Sequence, residues 1–267
     1  MMEILQAIIL GIIEGLTEFL PISSTGHLIV ASDVMNYKDT AEIFTVVVQM
    51  GAIFAVIWFY RADLIQKISG FFKKEPASVK FIYFWALATI PVLVTGYLLK
   101  DYLTDLAVAT TVGITLIMGG IAIWLIENYH KSAEFSGDVN LQKITKKQAI
   151  SVGLYQVIAL IPGVSRSGAT IMGGLVSGMD RVTATAFSFY LSIPVILLAG
   201  SYQLIKGRHD FGTVAGGGMA LIVGTIVAFI TALVAIKWLL KYVSRHDFKI
   251  FAYYRIIAGV LILLVVL

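Results

Sequence analysis

Residues 14–35 read EGLTEFLPISSTGHLIVASDVM, and this stretch decides the fold. The apolar segment leading into it, 2–20, carries Glu14 and Glu18 and stops at Pro21. The segment leaving it, 25–35, is too short to cross a hydrocarbon core, which takes about 20 helical residues. The two segments read as a re-entrant helical hairpin. Broken backbone at membrane depth survives only when buried in protein or lining a watery cavity, so the tip at 21–27 is expected to face such a cavity. A shift of 142 residues places Gly153 on Gly11, Gln156 on Glu14, Ser165 on Ser23, Arg166 on Ser24, Ser167 on Thr25 and Gly168 on Gly26 without a gap. Random apolar sequence seldom matches a polar Ser-x-x-Gly block, so the hairpin occurs twice, once with an acidic and once with a basic tip.

The rest of the chain fits a bilayer and not water. Of 267 residues, 58% are hydrophobic and 13% charged, against about 25% charged in a soluble domain. Long apolar runs exclude an outer-membrane barrel, whose strands alternate polarity. The absence of cysteine excludes disulfides, thiolate catalysis and zinc–thiolate sites. Nothing suggests a nucleic-acid partner, and the net charge of +4 is read as topology. Without a basic leader or a small-residue cleavage site, the first apolar segment is expected to belong to the fold.

The apolar segments are 2–20, 25–35, 41–60, 80–99, 106–127, 148–162, 167–178, 183–205, 213–241 and 247–267. The expected fold class is an all-α polytopic membrane protein with an inverted-topology repeat, six spanning helices plus two re-entrant helical hairpins. It forms a single membrane domain over 1–267, with repeat one at 1–127, a cytoplasmic loop at 128–147 and repeat two at 148–267. A hairpin plus three crossings per repeat inverts the second repeat relative to the first. The basic residues agree with this. Fourteen fall on one side, in 61–80, 128–147, 237–249 and at Arg181, whereas Lys38, Lys100, Lys206 and Arg208 fall on the other. The first hairpin then opens away from the cytoplasm. Arg166 and Arg255 remain inside the membrane, the latter expected to snorkel to the interface beside Tyr253 and Tyr254.

Ionisable residues inside a bilayer are costly and mark candidate sites. Glu14 and Glu18 share one helix face at i,i+4 spacing, so one carboxyl is protonated or a cation sits between them. Ser23, Ser24, Thr25 and Gly26 start a helix whose exposed N–H groups suit phosphate, with His27 a candidate proton carrier in the same turn. Gly163, Ser165, Arg166, Ser167 and Thr170 form the second tip. There the Arg166 fork matches phosphate oxygens in a bidentate manner. The Walker pattern of nucleotide loops is missing. From the residues, two classes stand level: an enzyme cleaving a phosphate ester or anhydride of a lipid, and a transporter or flippase of an anionic substrate, which broken inverted repeats also serve.

The two blocks, Glu14-Gly15-Leu16-Thr17-Glu18-Phe19-Leu20-Pro21-Ile22-Ser23-Ser24-Thr25-Gly26-His27 and Pro162-Gly163-Val164-Ser165-Arg166-Ser167-Gly168-Ala169-Thr170, resemble the (E/Q)-x-x-x-E with S-S-T-G-H motif and the P-G-x-S-R-S-x-x-T motif of the bacterial undecaprenyl-diphosphatase, or bacitracin-resistance, family. The resemblance covers the whole chain. It differs from the type 2 phosphatidic-acid phosphatases, which require a histidine shortly after the second Ser-Arg pair. The resemblance implies hydrolysis of undecaprenyl diphosphate to undecaprenyl phosphate and inorganic phosphate, recycling the carrier for peptidoglycan and other cell-wall glycans. It implies a site opening to the outer face of the bacterial cytoplasmic membrane, with a polyprenyl diphosphate and bilayer lipids as partners. The expected catalytic set is Glu14, Glu18, Ser24, His27 and Arg166, with Ser23, Thr25, Gly26, Gly163, Ser165, Ser167 and Thr170 binding substrate. Ser24 attacks phosphorus or orients a water, and His27 is the proton acceptor or leaving-group acid. Glu14 and Glu18 either set the charge of His27 or hold Mg2+ or Ca2+. No organic cofactor is expected, and monomer and homodimer both stay open.

Overall fold

The computed structural model describes residues 2–37, 39, 42–129 and 139–266. Lys38 and residues 130–138 of the expected cytoplasmic loop, Lys131 among them, lie outside the described residues. Among the described residues the regular structure is helical throughout. In chain order the helices are α1 (Met2–Thr17), α2 (Ser24–Val34), α3 (Ile43–Phe59), α4 (Arg61–Phe72), α5 (Pro76–Asp105), α6 (Ala109–Tyr129), α7 (Lys146–Ile158), α8 (Arg166–Val176), α9 (Arg181–Lys206), α10 (Gly217–Val243) and α11 (Lys249–Val266). Helices α5, α6, α9, α10 and α11 are long and apolar enough to cross a membrane, and α3 with α4 makes a sixth candidate bent by 75°. The chain is a multi-span membrane protein.

The pairs α1–α2 and α7–α8 are the two expected hairpins, each made of helices too short to span. Their tips share one local geometry. Ser23 and Ser165 cap the following helices at φ 72° and 73°, and each side chain accepts from the N–H three residues on, at Gly26 and Gly168. Positive φ is costly for a residue with a Cβ, so its recurrence at positions 142 apart points to one loop design used twice.

Packing follows the same pairing. Helix α1 lies along α10 and α7 along α5, so each hairpin docks on a long helix from the other half of the chain, while α6 pairs with α11 and α3 packs on both α10 and α9. The sequence-equivalent glycines Gly11 and Gly153 sit at these contacts. A Cβ at Gly11 would come within 2.6 Å of the Gly224 carbonyl oxygen, and one at Gly153 within 2.9 Å of the Ala88 backbone. Close backbone approach through small residues is the usual device for joining helices in lipid, where apolar burial gives no net drive. Helix α9 is the central post: Phe187, Phe189, Tyr190 and Leu191 are all buried.

Two expectations change. Residues 61–72, read as part of a basic loop, form α4, with Leu64 and Gly70 buried while Ile65, Ile68, Phe71 and Phe72 face outward. Its alternating charges lower the hydropathy and hide its helical periodicity. Arg181, counted as a loop charge, is buried and forms a fork with Glu127, whose carboxylate also accepts the Phe248 N–H.

Candidate active site at the meeting of two hairpin tips

The helix breaks at Thr17 and Ile158 bring the two tips together. Ser167 Oγ donates to the Leu20 carbonyl at 2.8 Å, joining the second tip to the first. Between them lies a cavity of about 270 Å3. Its polar lining includes Glu18, Ser23, Ser24, Thr25, Ser165 and Arg166, with the Gly163 turn beside them and Gln49 and Gln203 from α3 and α9, and Val92, Leu160 and Val195 add apolar surface. The N-termini of α2 and α8 both begin at this lining, so their unpaired N–H groups and dipoles favour an anion.

Glu18 links the tips chemically. Its Oε1 accepts from Arg166 Nη2 at 2.9 Å, and its Oε2 accepts from the Ser24 hydroxyl. Arg166 Nη1 donates to the Ser188 carbonyl at 3.0 Å, which fixes the plane of the guanidinium. The Arg166 Nε–H is buried without a hydrogen-bond partner. Such an orphan donor is expensive unless a ligand completes it.

The expected residues divide into two groups. Glu18, Ser23, Ser24, Thr25, Gly163, Ser165 and Arg166 line the cavity, and Glu14, Gly26, His27, Ser167 and Thr170 do not. Glu14 lies one turn behind Glu18, is 1% exposed, and has one carboxyl oxygen without a partner. Thr170 donates to the Arg166 carbonyl at 2.8 Å and meets Ser188 Oγ at 2.6 Å, which holds the first turn of α8. His27 is not brought to Ser24. Its Nδ1 sits 2.7 Å from the Ser23 carbonyl and its Nε2 2.6 Å from the Tyr254 hydroxyl, with the two rings stacked.

Arg255 departs most from the sequence reading. It does not snorkel but is 1% exposed. Its Nη1 donates to Pro21 O at 3.1 Å and Val164 O at 3.0 Å, its Nη2 to Thr115 O and Gly163 O at 3.1 Å, and its Nε to Leu116 O at 3.3 Å. All five acceptors are carbonyl oxygens, drawn from both tips and from α6. One guanidinium therefore satisfies the backbone groups that the broken helices leave open. It also places a second positive charge behind the cavity. The signal available in the sequence was an arginine followed by an unbroken apolar helix, which burial explains as readily as an interface does. Gln156, equivalent to Glu14 in the repeat, also lines the cavity and donates to the Ala88 carbonyl at 3.0 Å.

A family model described as bacitracin resistance protein BacA matches residues 7–261, a span that includes both tips and Arg255. The chain belongs to this family. Among the relatives of this BacA family chain, an undecaprenyl-diphosphatase of Methylobacillus flagellatus is 47% identical over 265 residues, covering 97% of each protein. One from Acinetobacter baumannii is 43% identical over 98% of this chain and 95% of its own length. Undecaprenyl-diphosphatase 2 of Shewanella oneidensis is 42% identical over 97% of this chain and 96% of its own.

Proposed function

We propose that this protein is an integral membrane phosphatase that hydrolyses undecaprenyl diphosphate to undecaprenyl phosphate and inorganic phosphate, returning the lipid carrier to cell-wall glycan synthesis. The observation that carries this reading is the Arg166 guanidinium, fixed by Ser188 and Glu18 with its Nε–H unanswered, at the cavity where two helix N-termini meet. The full-length likeness to proteins named undecaprenyl-diphosphatase supports the same substrate.

In this mechanism the terminal phosphate takes the free Arg166 donor and the N–H groups of both tips. These stabilise the charge spread over its oxygens in a loose transition state. Ser24 Oγ attacks the terminal phosphorus. Its proton passes to Glu18, the carboxylate that already accepts the hydroxyl. The bond from the bridging oxygen to that phosphorus breaks, and undecaprenyl phosphate departs. Glu18 gives the proton to the departing phosphate oxygen and is a carboxylate again; water then attacks the phosphoserine, Glu18 takes the water proton and returns it to Ser24 Oγ as the O–P bond breaks, and inorganic phosphate is released. Ser23 and Ser165 hold the helix starts, and Thr25 and Gly163 shape the cavity. His27 fixes the first tip through the Ser23 carbonyl and Tyr254, while Ser167 and Thr170 fix the second. Glu14 backs Glu18 and keeps it from turning away from Ser24. Glu14 and Glu18 are the carboxylates that would hold a Mg2+ or Ca2+ arriving with the diphosphate, and one buried Glu14 oxygen has no partner; such an ion would neutralise charge on the phosphate oxygens.

We read the molecule as one domain of two repeats, 1–127 and 148–267, in the bacterial cytoplasmic membrane with the cavity opening outward. The basic ends of α10 and α11, at Lys241, Arg245 and Lys249, support this, because they cluster opposite the start of α3 and the end of α9. Purified protein in detergent, where no transmembrane gradient exists, is expected to release phosphate from undecaprenyl diphosphate, and Ser24→Ala is expected to abolish that release. Absence of release from the wild type would favour the carrier or flippase that inverted repeats also build.

A further inference from the structure

A second cavity lies behind the second tip. It encloses about 330 Å3 between α6, α7 and α8. Its lining is almost wholly apolar, with Met118, Ala122 and Ile126 from α6, Tyr155 and Ile158 from α7, and Met172 from α8. Met118 and Ile158 are exposed, so the groove is open at the side and is not a sealed packing fault. Ile161 lines both this groove and the Arg166 cavity. The wall between them is a single turn of chain, with Gly163 on the cavity side and Val164 on the groove side.

We propose that this groove holds the part of the isoprenoid chain nearest the diphosphate, entered over Ile161; the inference rests on the diphosphatase reading above. The Arg166 cavity is small and half polar, so a long hydrocarbon chain whose head sits there must leave through its wall. Ile161 is where that wall meets a groove of matching chemistry. Bilayer lipid is as apolar as the groove, so entry gives no hydrophobic gain. The groove supplies packing contacts instead, and with them a fixed direction for the chain and thus for the phosphorus relative to Ser24. Ala122 and Ile126 lie one and two helical turns beyond Met118, so the α6 wall lengthens the groove away from the tips.

The test compares undecaprenyl diphosphate with dimethylallyl diphosphate, whose single isoprene unit ends near the sill. Ala122→Trp fills the far part of the groove without touching either tip. The expected result is that kcat/KM for the long chain falls about tenfold relative to that for the short chain, the scale of discrimination by an apolar pocket. Retained turnover of dimethylallyl diphosphate reports that the variant is folded. Ile158→Gln, at the exposed rim, is expected to act in the same direction and less strongly. An unchanged ratio in both variants overturns the groove assignment. So does a selective long-chain loss confined to Val195→Trp, which would send the chain out on the α9 side of the cavity. A bilayer lipid or a second copy of the chain as occupant would leave the ratio unchanged, since neither distinguishes the substrates. If wild-type protein releases phosphate from neither diphosphate, it is the diphosphatase reading that has failed.

Discussion

Glu18 holds Ser24 with one carboxylate oxygen and Arg166 with the other, so a single side chain couples the hydroxyl of one repeat to the cation of the other. Glu18→Gln keeps the size but loses the base. It is expected to lower kcat about 100-fold or more, with thermal stability in detergent close to wild type. Arg166→Lys keeps the charge but not the fork, and should cost about 100-fold in phosphate release; near-normal turnover would exclude Arg166 as the phosphate clamp. If Ser24 is the nucleophile, an acid quench during turnover of substrate labelled in the terminal phosphate should leave label on the wild-type chain and none on Ser24→Ala. A water nucleophile would label neither. Arg255 works differently, through five carbonyl groups. Arg255→Met fills similar space but leaves those acceptors unanswered, at about 1–3 kcal/mol for each that finds no other donor. A clear drop in unfolding temperature is expected, together with loss of turnover as the tips lose their common tie.

At the scale of elements, the hairpins are fixed by docking on partners from the other repeat. Gly11→Val pushes a side chain into the Gly224 carbonyl between α1 and α10. Overpacking of this kind typically costs about 1–3 kcal/mol. Thermal unfolding should show the loss, and the equivalent change Gly153→Val between α7 and α5 should show a similar one. Equal responses would reflect equivalent packing in the two repeats. At the other end of the bundle, the Glu127–Arg181 fork joins α6, the start of α9 and the Phe248 N–H before α11. In the sequence Arg181 looks like a loop charge, because sequence position locates a helix start but not the carboxylate packed against it.

For the whole molecule, the absence of cysteine makes sidedness directly measurable. A single cysteine in place of exposed Gly212, in the loop after α9, is expected to react with a membrane-impermeant thiol reagent applied to the outside of intact cells. A cysteine in place of exposed Lys73 should react only after the membrane is opened. The reverse pattern would overturn the outward-facing cavity. The hairpins, the duplication and the membrane solvent were legible in the chain, because segment length, carboxylates in an apolar run and a Ser-x-x-Gly block repeated after 142 residues are local or periodic signals. The nine-residue and fourteen-residue blocks also carried the family. The sequence did not reveal α4, whose charges conceal its apolar face, nor the burial of Arg255, because its partners Pro21, Thr115 and Gly163 lie 92 to 234 residues away. Proximity in the chain alone sets His27 beside Ser24 as its proton acceptor. The tertiary structure instead turns the imidazole toward Tyr254 and gives the Ser24 hydroxyl to Glu18. Composition and spacing determine which groups lie at membrane depth; which of them meet is decided by the docking of the two hairpins, since hydrogen bonds depend on ångström distances that only packing sets.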